Sequence, residues 1–469
     1  PGQAPGPVIP AQVPGPQTGI PRVLDHTLAN GLRLLVTPRL GAPTVSFVVQ
    51  YPIGSVNETP GATGMAHFLE HMLFKGTSSV GTRDFQAEAP LLRRMDALYD
   101  SILVAEERFA EDSARVAGLW ERLNETEERA SDLVRGNEFS DILSRNGARN
   151  LNAATTLEST TYFVELPSNR AELWFVMEAD RMRNPVFREF FTERDVIAEE
   201  RRMRLENNPG SLLLQAHLAE AFQVHPYGIP VIGHMSDIQR LSRPGMESYF
   251  RRFYGPNNAV VSIVGDLDPD QMVRWAEAYF GSIPSGEEPR PVRIEEPDQT
   301  GERRVEVVFD AEPAVRIGWK IPSVYHEDTS TLIMLASLLT GGRRSRLFRR
   351  LVLDDRIVSQ IASFTGPGQL YPGLFVIEAS PISPHSTAEV EAAIYGELER
   401  LGDQGPEEAE LQRVRNGLEA TEVRRLASNL GLALQIANSA TIFGDWEETF
   451  SFSRRLRDVT PADIRTVVS

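Results

Sequence analysis

Short runs of apolar, β-branched and aromatic residues alternate along the chain with stretches whose apolar positions recur every three or four residues. Residues 32–37 (LRLLVT), 45–51 (VSFVVQY), 161–166 and 259–264 (AVVSIV) read as strands. Residues 61–75, 172–183 and 192–207 read as helices. After a polar stretch rich in Pro, Glu and Arg at 283–304, the order starts again. Strands are predicted at 305–309, 315–319 and 373–377, and helices at 329–339, 345–351, 387–401 and 407–434. The second half thus echoes the first, as two copies of one unit do. The mixture predicts an α+β fold of two similar α+β sandwich domains rather than a doubly wound α/β sheet. The pattern divides the chain into a Pro-rich tether (1–22), a first domain (23–282), a linker (283–304) and a second domain (305–469). By the comparison of halves, the last strand of the second domain is expected to be missing from 305–469, either cut off or supplied elsewhere.

Residues 88–134 break the repeat. They hold no proline after Pro90, and Met95, Leu98, Ile102, Ala105 and Phe109, then Val116, Leu119, Leu123, Ala130 and Leu133, form two apolar seams. That spacing predicts a long helical coiled-coil insertion. One straight helix over 91–134 would reach ~66 Å. An antiparallel hairpin turning near 111–113 returns the chain to its domain, as a stabilising or docking arm.

Composition narrows the classes. The 469 residues carry a net charge of −17 with no long basic run, which excludes a phosphate-tracking surface and hence nucleic acid as a partner. No apolar stretch approaches the ~20 residues that span a bilayer. The absence of cysteine removes disulfides, thiolate metal sites and a cysteine nucleophile. The opening PGQAPGPVIPAQVPGPQTGIP is a start that a removed secretory signal would leave, as would an arbitrary chain boundary; on the first reading a periplasmic or secreted location is expected.

The strongest chemical signal is HFLEH at 67–71. On a helix, His67 and His71 lie ~40° apart and one turn along, so both imidazoles can hold one metal ion. Glu70 lies ~60° to the other side of His67, close enough to take a proton from water at that ion. Phe68, Leu69, Met72 and Leu73 cover the other faces and would keep the site dry. Nitrogen and carboxylate donors with no redox demand favour Zn²⁺. A third ligand must come from elsewhere. Glu193 and Glu200, seven apart, share a face of the acidic helix 192–207 and could serve as ligand and support. The same helix also reads as an ordinary charged surface with pairs such as Glu200–Arg204.

HFLEH, LNAATTLESTTYFVELP, TERDVIAEERRM, HPYGIPVIGHMSDI, FYGPNNAVVSIVGDLDP and TGGRRSRLF together resemble the inverted-motif zinc peptidases. Pitrilysin, insulin-degrading enzyme and the mitochondrial processing peptidase belong to that group. The resemblance implies a half-clam zinc metalloendopeptidase acting on unfolded peptides. It places His67, His71 and Glu200 as zinc ligands, Glu70 as general base and Glu193 as the acid supporting them. It also lays the peptide substrate along a sheet edge at Asn152, Ala153, Thr160 and Tyr162. His71 and Glu200 are 129 positions apart. This exceeds the family's usual spacing by roughly fifty residues, an insertion a surface connection tolerates. Active relatives also use an Arg and a Tyr from the second domain, and Val352 and Ser359 stand in those places here. A heterodimer is therefore expected, with a homologous subunit supplying the pair. The alternative is a non-catalytic scaffold subunit.

Overall fold

The computed structural model describes residues 21–108 and 113–469. Nearly all of the expected tether, Phe109 and most of the turn expected near 111–113 lie outside the described residues. In the first half the elements run β1 (Leu24–Thr27), β2 (Arg33–Pro38), β3 (Thr44–Tyr51), α1 (Met65–Met72), α2 (Phe85–Arg108), α3 (Ser113–Ser131) and α4 (Glu138–Arg145). They continue with β4 (Arg149–Thr155), β5 (Thr160–Pro167), α5 (Ala171–Arg183), α6 (Phe190–Arg201), α7 (Pro209–Ala221), α8 (Met235–Ile238), α9 (Arg243–Phe253), β6 (Val260–Gly265) and α10 (Pro269–Phe280).

These strands form one sheet in the order β1-β2-β6-β3-β5-β4. Only β2 and β6 run parallel. The side chains alternate between faces. Leu34, Val36, Phe47, Val49, Val164 and Ile263 point into the main core with Phe68, Leu69, Trp174 and Phe175. Leu35, Val48 and Val264 point the other way and are equally buried. Burial on both faces explains why these strands read as continuous apolar runs.

The second half runs β7 (Val315–Ile321), α11 (Thr329–Thr340), β8 (Val358–Gly366), β9 (Gly373–Pro381), α12 (Thr387–Gln404), α13 (Glu408–Ala427), α14 (Asn429–Ile442), α15 (Glu448–Asp458) and α16 (Pro461–Val468). Its antiparallel sheet β7-β9-β8 repeats the order β3-β5-β4. Leu338, Leu339, Ile361, Phe375, Ile377 and Ile394 build its core.

The two halves exchange a helix. Leu432, Ala433, Ile436 and Ala437 of α14 cover Leu35, Val48 and Val264 on the first sheet. In return, Leu218, Ala221 and Phe222, at the end of α7, cover Leu374 and Val376 of β9. Lys320 on β7 donates to the Ala221 carbonyl at 2.6 Å.

Three expectations are corrected. Residues 305–309 form no strand, and Val305, Val308 and Phe309 are exposed. In the first sheet β2 is held between β1 and β6, whereas no described strand lies on that side of β7 to offer a ladder. The helix expected over 407–434 is two helices, because Ser428 adopts extended backbone and its hydroxyl caps α14 by accepting the Gly431 N–H at 2.9 Å. The helix expected over 192–207 ends its α-helical part at Arg201 and continues as a π-helical turn, Arg202–Glu206.

In the segment 88–134, Leu92, Met95, Leu98, Ile102, Leu123 and Ala130 join the main core. The start of α2 and the end of α3 are brought together by a bridge between Thr82 and Val134. Arg194 of α6 donates to the Tyr99 hydroxyl at 2.7 Å and lies over the Tyr99, Trp120 and Phe191 rings, which fixes the pair of helices to α6.

Candidate metal centre

α1 starts at Gly64, whose left-handed backbone (φ +88°) suits glycine. Its first turn is capped by Glu58, whose carboxylate accepts the N–H groups of Gly64 at 2.8 Å and Ala66 at 2.7 Å. Phe68, Leu69 and Met72 anchor one face in the core. The other face presents His67 and His71, ring centroids 4.8 Å apart.

α6 faces it with Glu200. His67 Nε2 lies 3.8 Å from Glu200 Oε1, and His71 Nε2 lies 3.6 Å from Glu200 Oε2. One ligand atom from each of these three residues falls within 4.8 Å of the other two, the one such group of three among the described residues. Two elements that meet only in the fold therefore bring the sequence-predicted ligands together. Glu193, two turns back on the same face of α6, lies 2.9 Å from His71 Nδ1, which leaves Nε2 turned toward Glu200.

Lys75 holds the same carboxylate at 2.7 Å. Burial opposes ionisation of Glu193, but the hydrogen bonds from His71 and Lys75 outweigh it and hold the carboxyl down at about 2. Burial likewise acts against charge on His71, yet Glu193 and the neighbouring carboxylates raise it. His67 has no such partner. Burial, with the charges of His71 and Arg204, pushes it down to about 3, so its ring is neutral with a lone pair to give. Its Nδ1 is buried without a hydrogen-bond partner. The donors present, two imidazoles and a carboxylate, suit a divalent ion such as zinc.

Glu70 follows on α1. Burial raises its pKa, while a hydrogen bond from Thr155 Oγ1 to Oε2 at 2.5 Å pulls the other way. Thr155 ends β4, the outer strand of the sheet, so the open edge carrying Asn152 and Ala153 runs up to Glu70. Thr160 and Tyr162 do not belong to that edge. They lie on β5, paired on both sides by β3 and β4, and both are buried. Thr160 donates to the Ile53 carbonyl, and Tyr162 lies under the Arg181 guanidinium.

Sequence reasoning missed Thr155 and Lys75. Lys75 had a signal, being one of two lysines in an arginine-rich chain and one turn past His71. Thr155 had none. A strut joins the two metal-facing helices. Arg201, next to Glu200, donates to the Gly233 carbonyl at 2.8 Å. Gly233 (φ +84°) lies so close to Thr63 and Gly64 that a Cβ there would collide with their backbone. Asp237 adds hydrogen bonds to the Thr63 N–H and hydroxyl.

The fold is a two-domain mixture of helix and sheet, and its first half brings together donors that suit a divalent metal. The family model "Insulinase (Peptidase family M16)" matches residues 35–91 and 111–234, and "Peptidase M16 inactive domain" matches 240–418. The chain belongs to the M16 peptidase family, the group that includes pitrilysin and insulin-degrading enzyme. The first match is interrupted at 92–110, a stretch that begins within α2.

Zinc protease PqqE of Helicobacter pylori is 27% identical over 462 residues, covering 97% of this chain and 91% of that protein. An uncharacterized zinc protease of Mycobacterium leprae, ML0855, is 30% identical over 334 residues, covering 70% of this chain and 62% of its own. Among solved structures, a protease from Helicobacter pylori matches with a TM-score of 0.80 at 26% identity, covering 96% of both chains. A peptidase M16 inactive domain from Pseudomonas fluorescens shares the fold at a TM-score of 0.72 and 15% identity, over 95% of this chain and 93% of that one.

Proposed function

We propose that this chain is the zinc-binding subunit of a metalloendopeptidase that hydrolyses unfolded peptides. The observation that carries the reading is the meeting of His67, His71 and Glu200 beside Glu70, at the end of an open strand edge. His67, His71 and Glu200 would hold a zinc ion, which would supply Lewis acidity toward a peptide carbonyl and water. Glu70 accepts the proton of the attacking water and returns it to the leaving amine. The Thr155 hydroxyl keeps Glu70 pointed at the site. Backbone groups of β4 at Asn152 and Ala153 pair with the extended substrate, which favours broad specificity. The halves 23–282 and 305–469, joined by 283–304, form the walls of the cleft in this reading.

Val352 and Ser359 stand at the places of the expected Arg and Tyr, and neither supplies a guanidinium or a phenol. Val352 packs against the second core, and the Ser359 hydroxyl donates to the Ser380 carbonyl at 3.2 Å. A homologous partner subunit that carries the pair completes the site. The test compares the zinc-loaded chain and its Glu70→Gln variant, each with and without that partner, on an unstructured peptide. Hydrolysis is expected only with the partner, and the variant should lose about 10²–10⁴-fold with its zinc retained. Equal hydrolysis by wild type and variant would overturn the peptidase assignment. Full activity of the pure chain would overturn the need for a partner.

A further inference from the structure

The hairpin between β4 and β5 does more than end the open edge. Its tip is tied to the first half, where Ser55 and Val56 donate to the carbonyls of Thr156 and Leu157. From that anchored tip Glu158, 7% exposed, reaches into the second half. Its carboxylate accepts the Gln369 N–H at 2.9 Å, the Leu370 N–H at 2.7 Å and the hydroxyl of Tyr227. The Tyr227 hydroxyl in turn accepts the Tyr371 N–H at 3.2 Å. A Cβ on Gly368 would collide with both the Tyr227 hydroxyl and the Glu158 carboxylate, so the loop 366–371 can sit this close only with glycine there. Val56, Leu157, Tyr227, Leu374 and Val376 enclose the contact in apolar surface. A buried carboxylate with several donors is strong when complete and costly when broken.

Three residues earlier on the same hairpin, Thr155 holds Glu70. We infer that Glu158 is a positioning residue: it latches the loop 366–371 of the second half onto the hairpin that carries Thr155, and so places the far wall at the end of the substrate edge. The inference rests on the peptidase reading for its effect on catalysis, though not for the latch itself. On this inference, a chain that pairs with β4 and continues past Thr155 runs toward the loop that Glu158 holds. Losing the latch therefore weakens the hold on substrate without removing the metal ligands.

The experiment compares Glu158→Ala, Glu158→Gln and Tyr227→Phe in the full chain, alone and with its partner subunit. Glu158→Ala should raise hydrogen exchange at the amides of Gln369 and Leu370 about tenfold. It should raise KM for an unstructured peptide about fivefold with a smaller change in kcat, and leave zinc content at the wild-type value. Glu158→Gln, which keeps an acceptor, should restore most of both effects. Tyr227→Phe, which removes one donor, should show a smaller exchange increase and serves as the readout if the alanine variant fails to fold. Unchanged exchange at 366–371 in these variants overturns the latch, as does a fall in kcat and zinc content together with KM unmoved. If wild type with its partner cleaves no peptide, the peptidase reading fails, and the exchange data still decide the latch.

Discussion

The two imidazoles of α1 are held unequally. His71 is oriented through Nδ1 by Glu193, which Lys75 steadies, while His67 has a buried Nδ1 with no partner. Partners of this kind fix ring orientation and typically contribute 10–100-fold to metal affinity. Glu193→Ala is therefore expected to weaken zinc binding by about that factor. Competition against a chromophoric chelator measures it, and unchanged affinity would show that Glu193 is only a surface acid. Thr155→Val should lower kcat about tenfold while zinc content stays constant, because Glu70 loses the one hydroxyl that aims it.

HFLEH was legible because helical geometry relates neighbours four apart. Glu200 was not legible from spacing, since only the fold brings α6 to α1, and the resemblance alone singled it out from the other acids of its helix. The edge position of Thr160 and Tyr162 came from the resemblance alone, and no local signal could test it. The apolar pattern marks a strand but does not tell an edge from an interior position, which depends on pairing with a distant β3.

Between elements, the site depends on the segment that joins α1 to α6. Gly233 touches the start of α1 and receives Arg201 from the end of α6. Gly233→Ala would place a Cβ against the Thr63–Gly64 backbone at a left-handed position. The expected cost is about 1–3 kcal/mol in unfolding experiments, together with weaker zinc binding as the helices separate. Wild-type stability and affinity would remove the strut from the account.

Elements with strong local signals appeared as expected, including the buried runs β3 and β6 and the middle turns of the helix expected over 61–75, which forms as α1 at Met65–Met72. Those that depended on partners did not. Residues 305–309 have strand-forming side chains but no neighbour to pair with, and the break at Ser428 follows from a cap that a continuous helical pattern conceals.

At the scale of the whole molecule, the exchanged helices make each sheet depend on the other half. Nothing in the local pattern of 429–442 shows that its apolar face belongs to the sheet of the first half, against Leu35, Val48 and Val264. Ile436→Ala, at a fully buried position in that contact, should cost about 2–5 kcal/mol. Hydrogen exchange should rise on β3 and β6 as well as on α14. Loosening confined to the second half would contradict the coupling.

The central claim is that α1 and α6 converge on one ion. Anomalous diffraction at the zinc edge, on crystals of the zinc-loaded chain, tests it most directly. One peak per chain is expected, within bonding distance of His67, His71 and Glu200 and next to Glu70. A peak elsewhere, or none while zinc is present at saturating concentration, would contradict it.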